Sequence, residues 1–218
     1  MPGYNYTAKR LYVDVPIKGE AIELDRAQSN YLLNVLRLPP QSIILIFDGE
    51  NGEWEAELIS HKRKSAQLLP IKKIREQTPK STLHYCFAPI KSGRMDYTIQ
   101  KAVEMGAGTI QPVITEYTHR HKISVEKELA RMSANAIEAA EQCGILNIPI
   151  CKPAIKLEDL LQNWQTSMPL IFCDESAKTT NPLEILANPL DTANRKTKGF
   201  GVLIGPEGGF SDKERAML

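Results

Sequence analysis

The sequence predicts an α/β fold in two parts, a small barrel-like β domain over residues 1–75 and a parallel, doubly wound α/β domain over residues 80–218. Three observations carry this. Short strand-like runs crowd around one helical segment in the first 75 residues. From residue 82 strand and helix patterns alternate, as in a sheet built from βαβ units. The last two strand candidates, 169–175 and 199–204, are nearly pure apolar runs, the mark of strands covered on both faces.

In the first part, "KRLYVDVP" (9–16) alternates apolar and polar residues and stops at Pro16. Asp25 and Gln28 make a start resembling a capping box, and Tyr31, Leu32, Val35 and Leu36 supply the apolar face of the helix that "RLPP" (37–40) ends. "QSIILIFDG" (41–49) is a strand leading to the turn "DGENG", and "GEWEAELIS" (52–60) sets Trp54, Ala56 and Leu58 against glutamates. "SAQLLPIKKI" (65–74) is a further strand in which Pro70 marks an edge or a bulge. The polar segment 75–81 reads as a linker.

In the second part, "TLHYCFAP" is a strand, and the following helix places Met95, Ile99, Ala102 and Val103 on one side and stops at Gly106. "TIQPVIT" (109–115) is a strand. The longest helix, 124–144, is capped by Ser124, with Val125, Leu129, Met132, Ala136, Ala140 and Cys143 at helical spacing. "NIPIC" is a short strand and "LEDLLQNW" a helix. The polar stretch 189–199 predicts a surface loop before the last strand.

Hydrophobic residues make up 42% of the 218 and charged residues 24%, which suits a packed core and excludes general disorder. The longest strong apolar run, Ile43–Phe47, is far too short to cross a bilayer, and "MPGYNYTAKR" lacks a secretory apolar core. A cytoplasmic protein without a membrane partner is expected. Cys86, Cys143, Cys151 and Cys173 form no C-x-x-C pair and sit among apolar neighbours, so buried free thiols are expected and no metal site. Net charge is +1, which excludes bulk attraction to nucleic acid. Three compact basic clusters, 61–64, 71–75 and 119–122, nonetheless point to a basic face, since the acid must be segregated elsewhere. His119 and His121 are spaced i, i+2 without partners, which suits RNA contact or solvent better than a metal.

The most informative stretch is "GVLIGPEGGFSDKE" (201–214), between an apolar strand and a helix start. It lacks the lysine of a P-loop, and Pro206-Glu207 breaks the dinucleotide fingerprint. A carboxylate at the centre of a phosphate nest would repel its ligand. Gly208 and Gly209 allow backbone to approach a flat ligand, and a carboxylate suits a ligand bearing positive charge or hydroxyls. S-adenosylmethionine carries both, a sulfonium and a ribose. A purely structural turn with a solvent-exposed Glu207 accounts for the same residues.

"LIGPEGGFSDKE" resembles the signature of the RsmE family, the 16S ribosomal RNA uridine-N3 methyltransferases of the SPOUT class. "YLLNVLRL" (31–38) with "IFDGENGEWEAEL" (46–58) resembles that family's PUA-like RNA-binding barrel. "APIKSGRMDYTIQKAVEMGAGTIQPVITE" (88–116) resembles its first strand–helix–strand unit, and "AIEAAEQCG" (136–144) its central helix. The match spans nearly the whole chain. It implies a PUA-like domain at 1–75, a trefoil-knotted methyltransferase domain at 80–218, S-adenosylmethionine as cofactor, a homodimer, and 16S rRNA of the small ribosomal subunit as substrate. Two departures stand out. Ile145-Leu146 follow "EQCG" where the family usually has arginine, leaving Arg120 or Lys122 to supply a basic contact. The family pattern continues past Leu218 with a helix, a strand and a second cofactor loop, so the C-terminal knot segment is expected to be absent from this sequence.

On this resemblance Leu203, Ile204, Gly205, Pro206, Glu207, Gly208 and Gly209 line the adenosine pocket, mostly through backbone groups. Lys91, Arg94, Arg120, Glu138 and Gln142 are the substrate-side candidates; Glu138 and Gln142, at i and i+4, share one helix face. No catalytic base is assignable. Two other classes fit the residues, a nucleotide- or phosphate-binding α/β enzyme and a non-catalytic RNA-binding protein with a degenerate cofactor site.

Overall fold

The computed structural model describes residues 7–62, 65–90, 92–118, 124–165, 167–177, 181, 183 and 199–218. The chain divides into two compact units: Met1–Lys80 with Ile137–Ile148, and Ser81–Ala136 with Pro149–Leu218. The polar stretch 189–198 and the basic cluster 119–122 lie outside the described residues, as do Arg63 and Lys64.

The first unit holds a five-stranded sheet in the order β1-β3-β4-β5-β2, from β1 (Arg10–Tyr12), β2 (Ile22–Glu23), β3 (Ile43–Phe47), β4 (Glu53–Lys62) and β5 (Ser65–Arg75). The alternation in β4 has its predicted result, with Ala56 and Leu58 fully buried and Trp54 packed against the same cluster. Pro70 pairs with Ala56 while Lys72 pairs with Glu55, a register shift that makes room for the missing N–H.

The helical segment departs from its pattern. α1 (Arg26–Asn30) is capped by Asp25, whose carboxylate accepts from Gln28 N, but the Gln28 side chain donates to Tyr12 O instead of closing a capping box. Residues Tyr31–Val35 then form a π turn. Its extra residue per turn rotates the face, so Leu32 is buried while Val35, expected inside, stays exposed.

A buried carboxylate, which alternation alone did not predict, anchors this unit. Glu53 has no exposed surface, and its oxygens lie 2.9 Å from Arg10 Nε and 3.5 Å from Arg75 Nε. Arg75 also donates to the Gly144 carbonyl at 2.8 Å, and Gln77 to Asn147 at 2.8 Å, tying residues 144–147 to the β strands.

The second unit holds a parallel sheet in the order β10-β11-β6-β7-β8, from β6 (Leu83–Phe87), β7 (Thr109–Ile114), β8 (Ile150–Cys151), β10 (Leu170–Cys173) and β11 (Phe200–Ile204). β9 (Ile155–Lys156) pairs with β7 beyond β8. α2 (Ser92–Glu104) buries Met95, Ile99, Ala102 and Val103 as its spacing predicts, and Gly106 ends it at φ +83°. α3 (Val125–Cys143) contributes residues to both units and buries Met132, Ala136 and Ala140, while Val125 and Cys143 at its ends are exposed. α4 (Leu157–Gln162) packs Leu157 and Leu160 into a cluster with Cys86, Val113, Leu203 and Phe210.

Two expectations need correction. The four cysteines are free, but only Cys86 is buried; Cys143 and Cys173 are exposed because each stands at the end of its element. The apolar strands β10 and β11 are not covered throughout: Phe200 and Ile204 are exposed, whereas Leu203, on the opposite face, is buried under α4.

Candidate functional site

In the second unit β11 lies parallel beside β6, with β10 on its other side. Open α/β sheets bind ligands in the crevice beyond the carboxyl ends of their strands. The segment Leu203–Gly209 leaves β11 at this point. Leu203 is buried in the core, Ile204 is the last strand residue, and Pro206–Gly209 form a turn closed by Gly209 N donating to Pro206 O at 2.9 Å. Pro206 is buried and Glu207 and Gly208 are exposed at the tip.

Two of the three glycines are required, for different reasons. A Cβ at Gly205 would stand 2.3 Å from the Phe210 ring. Gly209 has φ +71°, and a Cβ there would stand 2.3 Å from the Glu175 carboxylate. At Gly208 a Cβ would meet only Tyr117, at 3.5 Å, so the turn itself does not demand glycine there.

Two residues of the short helix Asp212–Arg215 hold the rim together. Glu214, buried, accepts from Ser211 N at 3.0 Å while Ser211 Oγ accepts from Glu214 N at 3.3 Å, the reciprocal capping box legible in "SDKE". Its other oxygen accepts from Glu116 N at 2.8 Å, joining the loop after β7 to the loop after β11. Arg215 donates to Phe210 O at 3.2 Å, to Asp174 and to Ser176, joining the loop after β10 as well. The Ser176 N–H and the Arg215 guanidinium hold the Asp174 carboxyl below its ordinary range. The third bond of Glu214 and the role of Arg215 have no short-range sequence signal, because their partners lie about 100 and 40 residues away.

Arg94, in the first turn of α2 after β6, lies 3.4 Å from Glu207 and so spans the crevice; both side chains are exposed. Glu138 accepts from Gln142 at 3.2 Å on the exposed face of α3, as their spacing predicts. Those two belong to the first unit and Arg94 to the second. Lys91 and Arg120 lie outside the described residues. Of the basic cluster 71–75, Lys73 pairs with Glu76 and Arg75 with Glu53, which leaves Lys72 as its exposed cation. Among the described residues no group of three or more His, Cys, Asp or Glu side chains is placed to hold a metal, and no helix is long and apolar enough to cross a membrane.

Behind the strands, His84 is buried against Trp164, with ring centroids 5.2 Å apart, and shares a 3.0 Å hydrogen bond with Gln111 Oε1. Burial, with the nearby Lys152 charge second, pushes its pKa down to about 4.

A family described as RNA methyltransferase domain matches residues 76–218, and one described as RNA methyltransferase PUA domain matches residues 24–71. The chain is 27% identical over 189 residues to a Rickettsia conorii protein named ribosomal RNA small subunit methyltransferase E, covering 87% of this chain and 73% of that one. It is similar to the crystal structure of a ribosomal RNA small subunit methyltransferase E from Neisseria gonorrhoeae bound to S-adenosylmethionine, with a TM-score of 0.77 and 27% identity, covering 96% of this chain and 84% of that one. A Legionella pneumophila structure in complex with the same cofactor matches with a TM-score of 0.78 and 28% identity over 96% of this chain and 84% of that one.

Proposed function

Since the chain belongs to the RNA methyltransferase domain family, we propose that it methylates N3 of a specific uridine in 16S rRNA of the small ribosomal subunit, with S-adenosylmethionine as methyl donor. The observation that carries this reading is the Pro206–Gly209 turn beyond the carboxyl end of β11, with its exposed tip and a glycine at position 208 that the fold does not need. Relatives that share this fold are described as bound to that cofactor.

The fit to the cofactor is chemical. Exposed backbone at Glu207 and Gly208 suits the edge of a purine, Ile204 offers an apolar surface, and the Glu207 carboxylate suits a sulfonium cation. Leu203, Ile204, Gly205, Pro206, Glu207, Gly208 and Gly209 hold the cofactor, which when bound supplies a methyl carbon already activated for in-line displacement. The protein's part is then alignment and exclusion of water, the main contribution of any such site. Glu214 and Arg215 fix the lip, and the Arg94–Glu207 pair, exposed and therefore weak, opens to admit ligand. Lys91, Arg94, Arg120, Glu138 and Gln142 face the RNA. Uridine N3 is weakly nucleophilic until its proton is removed and is paired in a duplex, so the base must be presented unpaired.

The chain divides into a PUA-like RNA-binding domain, 1–75, and a SPOUT methyltransferase domain, 80–218, whose family topology is a trefoil knot. It acts as a cytoplasmic homodimer without a metal. The test is transfer of labelled methyl groups to small subunits lacking the modification. Label in 16S rRNA at one uridine that stops reverse transcription is expected, because N3 methylation blocks base pairing. No label in rRNA, or label that leaves reverse transcription unaffected, overturns the reading.

A further inference from the structure

A cleft of about 690 Å3 opens within the first unit, lined by Lys9, Arg10, Tyr31, Glu138, Glu141 and Gln142 among others. Its walls carry an unusual combination. Glu138, Glu141 and Gln142 stand at i, i+3 and i+4 of α3, on one face. Glu141 is held in place by accepting from Tyr12 N at 2.8 Å, and Glu138 by accepting from Gln142 at 3.2 Å. Tyr31, left outside by the π turn, is 37% exposed and presents an aromatic ring to the same cleft. Lys9, exposed, stands at the edge, while the Arg10 guanidinium donates to Glu53.

We propose that this cleft takes one unstacked guanine of the RNA substrate, its N1–H and N2–H donors facing the Glu138 and Glu141 carboxylates, its ring on Tyr31 and its phosphate toward Lys9. Ionised carboxylates only accept hydrogen bonds, so they select an edge of donors. Guanine alone presents two adjacent donors. Adenine and cytosine set one amino group beside an acceptor nitrogen, and uracil flanks its single N–H with two carbonyl oxygens. A phosphate at the helix wall is excluded by the same two charges. Aromatic stacking with hydrogen bonds to the Watson–Crick edge is the usual way single-stranded RNA is read. Burial raises the Glu141 carboxyl, the Tyr12 N–H lowers it and the Glu138 charge raises it further, and donors shared by the two carboxylates would offset their mutual repulsion.

The subsite rests on the RNA-methyltransferase reading, and the experiment separates the two. Fluorescence anisotropy with the full chain measures binding of oligouridine decamers carrying one central guanosine, inosine, adenosine or cytidine, and the same preparation is assayed for methyl transfer to small subunits. The guanosine decamer is expected to bind about tenfold more tightly than the other three, inosine losing most of the gain because it lacks the 2-amino group. Glu141→Gln and Glu138→Gln are each expected to reduce that preference to about twofold. Glu138→Gln leaves the Tyr12 bond untouched, so it decides the matter if Glu141→Gln does not fold. Equal binding of all four decamers by a preparation that methylates subunits overturns the subsite alone. A preference unchanged in a folded variant overturns it too. A chain that neither binds RNA nor transfers methyl groups overturns the functional reading and the subsite with it.

Discussion

At Gly209 the backbone turns through φ +71° directly beside the Glu175 carboxylate, and one residue earlier, at Gly208, neither constraint applies. Substitution separates fold from function here. Gly209→Ala forces a Cβ into a left-handed position at a cost of about 1–2 kcal/mol before the clash with Glu175 is counted. Its melting temperature should fall. Gly208→Val should keep the melting temperature within a few degrees yet abolish binding of S-adenosylhomocysteine in calorimetry, since the side chain would stand where ligand approaches. Unchanged affinity in Gly208→Val would reduce the segment to a turn. His84 adds a pH dependence. Its folded pKa is about 4, below the ordinary value of 6.5. The unfolded chain therefore takes up a proton first as pH falls. The contribution is fully present above about pH 6.5 and lost progressively toward pH 4, a swing on the order of 3 kcal/mol. Melting curves from pH 7 to 4.5 should fall more steeply for the wild type than for His84→Gln. Parallel curves would show that His84 does not titrate differently on folding.

The short helix Asp212–Arg215 is too brief to be stable by propensity. It persists because Glu214 closes a capping box and also accepts from Glu116 N. Glu214→Gln replaces one accepting oxygen by a donor and leaves a backbone N–H without its acceptor, at about 1–3 kcal/mol. A lowered melting temperature together with weakened binding of S-adenosylhomocysteine is expected. Full affinity in the folded variant would show that the tie to the β7 loop does not shape the lip. Elements also explain what was legible. Met95, Ile99, Ala102 and Val103 on α2, and Ala56 and Leu58 on β4, are buried as their periodicity requires, since period and face are local properties of the backbone. Val35 and Tyr31 escaped because a π turn has no signature in hydrophobic spacing, and Glu53 escaped because polar alternation places it on the solvent side. Its partners Arg10 and Arg75 lie 43 and 22 residues away, and Glu53→Leu, which removes their shared carboxylate, should cost about 3–5 kcal/mol, read as a lower denaturant midpoint. An unchanged midpoint would show that apolar packing replaces the pair in full.

At the scale of the molecule, the first unit is completed by residues 137–148, contributed from the far side of the chain. The bonds from Arg75 to Gly144 and from Gln77 to Asn147 lie inside that unit. Residues 1–80 expressed alone should therefore lack a sharp cooperative thermal transition, and a well-defined transition in that fragment would show the added segment to be dispensable. The sequence by itself determined the α/β class, most strand and helix positions, the "GPEGG" turn and the family resemblance that this turn carries. Those rest on periodicity, turn chemistry and short motifs, which are set within a few residues. Only the tertiary structure decided that β11 lies beside β6, that Arg94 reaches Glu207 across the crevice, that Glu214 and Arg215 tie the strand-end loops, and that Tyr31, Glu138 and Glu141 share a cleft. Each of these joins residues far apart in the chain. Such contacts depend on how sheets order their strands and close their loops, and no local pattern of side chains encodes that.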